Sequence, residues 1–106
     1  MALVEVAKTT SVPEGEARKF VVNGVEVAVA NLGAGDFRAL GDVCSHAHYY
    51  LSEGEVDLED RTIECPKHGS VFDLDTGVPR SLPATTAVPA YHTQIDGDAI
   101  MIEMGE

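Results

Sequence analysis

The sequence predicts an all-β domain of short antiparallel strands. Runs rich in β-branched residues flank turn dipeptides near both ends of the chain, which is the pattern of β-hairpins. No stretch of ten or more residues keeps the apolar period of a helix. At 106 residues the chain is long enough for one domain with a modest core. Because it has no tryptophan and few other aromatics, that core must rest on valine, isoleucine, leucine and alanine.

The first 42 residues are predicted to form strands. The segment ARKFVVNGVEVAVANL, residues 17–32, holds two β-branched runs joined by Asn23-Gly24. Both central residues of a type I′ turn need positive φ, which Asn-Gly supplies, so this segment predicts a hairpin. A glycine-rich turn at residues 33–36 leads into DFRAL, which predicts another short strand.

The C-terminal part predicts a second hairpin, because AYHTQIDGDAIMIE, residues 90–103, alternates on both sides of Asp96-Gly97-Asp98. Residues 43–83 are different, since they contain both cysteines, three of the four histidines and several turn-forming glycines and prolines. We predict a single domain over residues 1–106, with a basal β part at 1–42 and 84–106 and a loop-rich insertion at 43–83. Loops on a rigid sheet are where binding chemistry concentrates.

The charge of the chain excludes some classes of partner. Eighteen acidic against seven basic side chains give a net charge of −11. This argues against nucleic acid and anionic membrane surfaces, which reward lysine and arginine. A negative net charge would favour partners with basic surfaces, or it would only keep the protein soluble. The N-terminus lacks the pattern of a signal peptide and no apolar run approaches the ~20 residues of a membrane span. We therefore expect a cytoplasmic protein.

Four residues form a candidate metal-ligand set: Cys44, His46, Cys65 and His68, with 18 residues between His46 and Cys65. The two cysteines could instead pair as a disulfide, but the neighbouring histidines favour metal. Two thiolates and two imidazoles suit either one zinc ion or a two-iron, two-sulfide cluster. Structural zinc sites usually leave two to four residues between the first two ligands, whereas Cys-x-His leaves one. The short spacing is easier to understand if the two ligands of each loop bind different metals.

Cys-x-His followed by Cys-x-x-His-Gly resembles the signature of the Rieske [2Fe-2S] family. The flanking segments LSEGEV, FDLDTG and SLPATTAVPAY are also similar to that family, and the likeness covers residues 43 to 103. It implies a Rieske fold of stacked antiparallel sheets with an inserted cluster-binding subdomain. One cluster per chain would be held by Cys44 and Cys65 on an inner iron and by His46 and His68 on an outer iron. The 18-residue spacer is slightly long, and we place the insertion near residues 57–60.

The resemblance also suggests how the cluster is tuned. The high-potential branch of the family has two further cysteines that form a disulfide, and here Tyr49 and Lys67 occupy those positions. Ser70 matches a serine that hydrogen-bonds to sulfur, whereas Phe72 replaces a tyrosine. Neutral imidazoles and a donor to sulfur ease reduction, but the disulfide and the tyrosine hydroxyl of the high-potential branch are missing here. We therefore predict a low-to-intermediate potential, somewhat higher than in relatives that lack both donors.

Further residues near the motifs are expected to shape or expose the site. Pro66 and Gly69 are expected to shape the second loop, where glycine allows backbone N–H groups to approach sulfide. His48 is extra to the motif and is interpreted as a solvated loop residue or, with Tyr49 and Lys67, as part of a docking surface.

The sequence contains no dinucleotide fingerprint, no oxygenase facial triad and no membrane anchor. The resemblance therefore implies a monomeric ferredoxin and not an enzyme. Such a protein passes single electrons from an NAD(P)H-dependent flavin reductase to a terminal oxygenase. Three alternatives stay open: a small subunit of a nitrite-reductase-like complex, an electron donor to another pathway, and a zinc-stabilised interaction module.

Overall fold

The computed structural model describes residues 2–44, 49–66, 69–82 and 84–104. Within these ranges the strands pair exclusively in antiparallel fashion. The strands are β1 (Ala2–Lys8), β2 (Ala17–Val22), β3 (Val25–Asn31), β4 (Phe37–Gly41), β5 (Val56–Asp57), β6 (Thr62–Glu64), β7 (Val71–Asp73), β8 (Ala90–Tyr91), β9 (Thr93–Asp96) and β10 (Ala99–Met104). Short 3-10 turns occupy Thr9–Ser11 and Leu51–Glu53. The predicted all-β class is confirmed. No helix in the described ranges is long and apolar enough to cross a membrane.

Both predicted hairpins are present, and the turn of the first has the expected backbone geometry. Asn23 and Gly24 have φ of 51° and 80°, and Val22 pairs with Val25 across them. Positive φ at both central residues is the requirement of a type I′ turn. In the second hairpin β9 and β10 meet at the Asp96–Ala99 pair.

The central sheet, with strand order β2-β3-β4-β8, is covered on both faces. Residues 27–30 of β3 are all buried. Because side chains alternate along a strand, Val27 and Val29 enter one core while Ala28 and Ala30 enter the other. The first core lies against the sheet with order β1-β10-β9 and includes Phe37, Ile100, Ile102 and Met104. The second core contains both cysteines.

The ends of the described chain lie side by side, because β1 pairs with β10 from Ala2–Met104 to Lys8–Ala99. The run LVEVAK was predicted only as part of a strand-rich N-terminal region. The predicted strand beginning at Ala90 is in fact divided at His92. Its first part, β8, pairs with β4, while β9 pairs with β10, so the chain changes sheets at this residue.

A third sheet, with order β5-β6-β7, lies within residues 43–83, which were predicted to be loop-rich. Its strands are only two or three residues long. Ile63 and Phe72 face each other across β6 and β7, and both are fully buried. Such short strands leave no periodic signal in the sequence, which explains why they were not predicted individually.

Candidate metal centre

The first cysteine lies in a loop that is closed by paired backbone on both sides. Val43 pairs with Tyr50 in an isolated β-bridge, and the Cys44 N–H donates to the carbonyl of Tyr49 at 2.8 Å. Cys44 is buried, with 3% of its surface exposed. The loop therefore presents a buried thiol at the end of a short ladder.

The second cysteine has the same position in its own loop. The Cys65 N–H donates to the carbonyl of Ser70 at 2.7 Å, five residues on, just as Cys44 bonds to Tyr49. The Gly69 N–H donates to the carbonyl of Cys65 at 3.1 Å, and Gly69 has φ of 74°, which favours glycine. Cys65 is buried as well. Two loops of different sequence thus hold their cysteines in equivalent hydrogen-bonded positions.

Gly54 sets the distance between the two loops. A β-carbon at Gly54 would lie 1.6 Å from the carbonyl oxygen of Glu64, so no side chain fits there unless the backbone moves. Glu64 directly precedes Cys65, and its N–H donates to the carbonyl of Glu55 at 2.9 Å. The chain that leaves the first loop therefore packs directly against the strand that enters the second.

The segment that follows β7 and includes Ser81 and Ala84, here called the covering segment, is attached to the second loop through two serine hydroxyls. Ser70 is fully buried, and its Oγ accepts a hydrogen bond from the N–H of Ala84 at 3.1 Å. The Oγ of Ser81 accepts from the N–H of Val71 at 2.9 Å. Since Ala84 donates to Ser70, the hydroxyl proton of Ser70 is left for another acceptor.

A ring of four charged side chains joins the central sheet to the β5-β6-β7 region. Arg61 donates to both oxygens of Asp75 at 2.8 and 2.9 Å, and to Asp36 at 2.7 Å. Arg38 completes the ring, at 2.7 Å from Asp75 and 2.8 Å from Asp36. Hydrogen bonds from Arg61 and Arg38 hold the pKa of Asp75 well below its usual range, despite the opposing effect of burial. Arg61 has φ of 57°, an unfavourable conformation that these ion pairs help to hold.

A second carboxylate stabilises the turn after β7. Oδ1 of Asp73 accepts hydrogen bonds from the backbone N–H groups of Asp75 and Thr76, and its Oδ2 accepts from Arg80 at 2.5 Å. Burial raises the pKa of Asp73, but the bonds from Arg80 and the two N–H groups outweigh it and lower the net pKa. These bonds explain the FDLDTG segment as a folded turn.

Residues 2–92 match the family described as Rieske [2Fe-2S] domain. The 3-phenylpropionate/cinnamic acid dioxygenase ferredoxin subunit of Escherichia coli strain K12 is 38% identical over 106 residues, which cover all of this chain and 97% of the relative. The chain belongs to the Rieske family. It carries a Rieske [2Fe-2S] cluster and is an electron-transfer component, not a catalytic oxygenase.

Solved Rieske ferredoxins share the fold over nearly the whole chain. The ferredoxin of carbazole 1,9a-dioxygenase from Nocardioides aromaticivorans IC177 has a TM-score of 0.91 and 36% identity, covering 96% of this chain and 97% of its own. A chain in a complex of reduced oxygenase and oxidized ferredoxin in carbazole 1,9a-dioxygenase has a TM-score of 0.83 and 31% identity, covering 94% and 91%. A nitrite reductase small subunit from Mycobacterium tuberculosis shares only the fold, with 23% identity, a TM-score of 0.82 and coverage of 96% of both chains.

The described residues fit the thiolate half of a Rieske site. Cys44 and Cys65, the two cysteines of the chain, are both described; they form no disulfide and belong to one buried apolar cluster with Leu51 and Phe72. Two buried sulfurs on facing loops match the soft donors that iron requires. Family membership decides between zinc and a cluster in favour of the cluster.

The other predicted site residues divide into two groups. The first group lies outside the described residues and comprises His46, His48, Lys67 and His68. Among the described residues, no group of three or more histidine, cysteine, aspartate or glutamate side chains is placed to hold a metal ion. The second group is described. Phe72 is a fully buried core residue, Pro66 is exposed, and Tyr49 is 37% exposed. The N–H of Gly69 donates to the carbonyl of Cys65 and is therefore not available to a sulfide. The predicted hydrogen bonds from this loop to sulfide would have to come from other backbone amides.

The ion-pair ring and the role of Gly54 were missed in the sequence. The four ring residues are far apart in sequence, up to 39 positions between Asp36 and Asp75. Only the folded topology brings them together. Gly54 was visible as part of LSEGEV, but its close contact with Glu64 depends on the packing of two separate loops.

Proposed function

We propose that this protein carries single electrons from an NAD(P)H-dependent flavin reductase to the terminal oxygenase of a ring-hydroxylating dioxygenase. The observation that supports this most strongly is the full-length match to a dioxygenase ferredoxin subunit. The likeness to a ferredoxin in complex with its oxygenase supports an oxygenase as the electron acceptor.

The ligands proposed for the cluster are the thiolates of Cys44 and Cys65 and the imidazoles of His46 and His68. When bound, the cluster supplies a centre that accepts and releases one electron. The chain keeps both thiols away from water, because Cys44 and Cys65 are buried beside Phe72. An apolar, water-poor surrounding is one of the factors that set the potential of such a centre.

A partner would dock at the end of the molecule that carries the two loops. Tyr49 and Pro66 are exposed there, next to the buried cysteines, and His48 and Lys67 are proposed to belong to the same surface. The covering segment adds Leu82, which is 77% exposed. Exposed apolar groups near a redox site allow a partner to approach closely, as short electron-transfer contacts require.

The acidic segment, residues 53–64, is proposed to steer basic partners toward this end. It connects the two loops and carries six exposed carboxylates: Glu53, Glu55, Asp57, Glu59, Asp60 and Glu64. The cation of this segment, Arg61, already contacts Asp36 and Asp75. The segment therefore presents net negative charge, which raises association rates with basic surfaces at low salt.

Two further features of the organisation are proposed. The chain is proposed to form one domain of residues 1–106, with residues 43–83 as the cluster-binding part, since the β5-β6-β7 sheet lies within that range. A cytoplasmic location is proposed because Cys44 and Cys65 form no disulfide and a reducing compartment keeps thiols available for iron.

Electron transfer to a dioxygenase system tests the proposal. The reductase and terminal oxygenase of the Escherichia coli 3-phenylpropionate system would be mixed with the loaded protein in a stopped-flow instrument. We expect the reductase to reduce the protein and the oxygenase to oxidise it, with rates that fall as salt is added. Replacing Glu55 and Asp57 together by lysine should slow both reactions about tenfold at low salt.

The control is Asp96→Lys, which changes the charge in the β9–β10 turn and should have little effect on either rate. Absence of electron exchange with both partners would contradict the proposal. In that case a reaction with a nitrite-reductase flavoprotein would favour the alternative of a nitrite-reductase small subunit, which the fold likeness leaves as a second candidate.

A further inference from the structure

Asp42 is a fully buried carboxylate that lies two residues before Cys44. Its Oδ1 accepts a hydrogen bond from the N–H of Ser52 at 2.7 Å, and its Oδ2 accepts from the hydroxyl of Ser52 at 3.0 Å. Removing a carboxylate from water is costly unless it is hydrogen-bonded, and the two bonds from Ser52 meet that requirement. The sequence motifs did not point to this residue.

The carboxylate joins the two arms of the first loop at their base. The backbone of Asp42 donates to the carbonyl of Glu26 at 3.0 Å and accepts from the N–H of Leu51 at 2.7 Å. Further along the same ladder are the Val43–Tyr50 bridge and the Cys44–Tyr49 hydrogen bond. The two bonds to Ser52 extend this ladder by one residue beyond its backbone pairs.

The same contact connects the first loop to the second. Ser52 lies in the 3-10 turn Leu51–Glu53, and the N–H of Gly54 donates to the carbonyl of Leu51 at 2.9 Å. Gly54 in turn packs on the carbonyl of Glu64, the residue before Cys65. Contacts thus lead from Asp42 to the 3-10 turn Leu51–Glu53, from that turn to Gly54, and from Gly54 to Glu64, which directly precedes the second cysteine.

Resting on the proposed cluster ligands, we propose that Asp42 is a positioning residue for the metal centre. By holding Ser52 it fixes the separation of the two cysteine loops and so the geometry that they impose on the metal group. Residues that hydrogen-bond directly to metal ligands typically change metal affinity by about 10- to 100-fold when they are replaced. Because Asp42 acts through the loop backbone, we expect an effect at the lower end of that range.

Three variants of the loaded protein test this role. Asp42→Ala removes both bonds to Ser52. It should accelerate loss of visible absorbance in the presence of a chelator by about tenfold or more, and it should shift or broaden the electron paramagnetic resonance (EPR) spectrum of the reduced protein. Ser52→Ala removes only the hydroxyl bond and should give a smaller change of the same kind. Asp42→Asn can keep both bonds, because its oxygen accepts from the N–H and its amide donates to the hydroxyl, and it should retain the wild-type EPR spectrum.

The matched control is Asn31→Ala in the central sheet. Asn31 also joins two backbone segments, donating to the carbonyl of Val12 at 2.7 Å and accepting from the N–H of Gly33 at 2.8 Å. Its loss should lower the thermal stability but leave the EPR spectrum unchanged. If Asp42 had only a structural role, Asp42→Ala would behave like Asn31→Ala, with lower thermal stability and an unchanged EPR spectrum.

The proposal is overturned if Asp42→Ala and Ser52→Ala both keep the wild-type spectrum and rate of cluster loss, or if Asn31→Ala changes the spectrum equally. Should Asp42→Ala fail to fold, Ser52→Ala decides, with wild-type behaviour counting against the proposal. Failure of the proposed ligand set is distinguishable, because the wild-type protein itself would then show no Rieske spectrum.

Discussion

Ser70 is the residue whose predicted role in tuning the cluster can be tested most simply. It was predicted as a donor to sulfur, and in the structure it is fully buried and accepts a bond from the N–H of Ala84. That bond uses the oxygen as an acceptor and leaves the hydroxyl proton free to donate, and we propose that it donates to a cluster sulfur. A donor to sulfur stabilises the additional negative charge of the reduced state, because hydrogen bonds to charged groups are stronger than those to neutral groups.

Ser70→Ala should therefore lower the midpoint potential by about 60 mV, which is the one-electron equivalent of a tenfold change in equilibrium constant. Protein-film voltammetry or a dye-mediated titration measures this shift. Ser81→Ala is the matched control, since Ser81 also accepts a backbone N–H and holds the same covering segment. If both variants shift the potential equally, the effect comes from loosening of the cover and not from a bond to sulfur.

At the scale of strands and loops, the ion-pair ring joins the β5-β6-β7 region to the central sheet. Arg61 lies in the turn between β5 and β6, where the insertion near residues 57–60 was placed, and it reaches Asp36 just before β4. Networks of ion pairs contribute more than isolated surface pairs, which are worth at most about 1 kcal/mol. The ring should therefore make a measurable contribution to stability.

Arg61→Gln should lower the free energy of unfolding by about 1 kcal/mol, or roughly 4 °C in the thermal midpoint. Because the folded pKa of Asp75 is depressed, this contribution is present above the ordinary carboxyl value of 3.8 and is lost as the pH falls below it. Differential scanning calorimetry at several pH values and salt concentrations measures the effect.

Arg18→Gln is the control for this measurement, since Arg18 pairs only at the surface with Glu16 at 2.6 Å and both side chains are about half exposed. It should change the midpoint little at any pH. An Arg61 effect that is no larger than the Arg18 effect, or that persists unchanged in strong acid, would contradict a stabilising ring.

The elements that were predictable from sequence are those with local signals. The Asn23-Gly24 turn carries its own backbone requirement, so the hairpin around it was predicted correctly. Strands β5 to β7 have no such signal, because two or three residues cannot show a period. The change of sheets at His92 was also invisible, since it depends on which partners β8 and β9 find in the fold.

The candidate site shows the same division. The cysteines could be identified from their spacing with the neighbouring histidines, and the structure places both in equivalent buried positions. The contacts that hold their loops together, from Asp42 to Ser52 and from Gly54 to Glu64, link residues whose types are common in any turn. These contacts form only when tertiary packing brings the residues together, so the sequence alone did not predict them.

At the scale of the whole molecule, the protein is a β scaffold with two loops that hold the cysteines proposed as cluster ligands. Two cores cover the central sheet, and the second of them contains both thiols. The net charge of −11 is concentrated in part along the acidic segment between the loops. This arrangement is consistent with the proposed electron carrier, whose acidic segment would meet basic partner surfaces.

EPR of the dithionite-reduced protein tests whether the cluster is held by two thiolates and two imidazoles. With two imidazole ligands we expect an average g-value below that of all-cysteine [2Fe-2S] proteins. We expect the same value in His48→Ala, because the proposed ligand set does not include His48. An average g-value typical of four cysteine ligands, or a protein that contains zinc without inorganic sulfide, would contradict it.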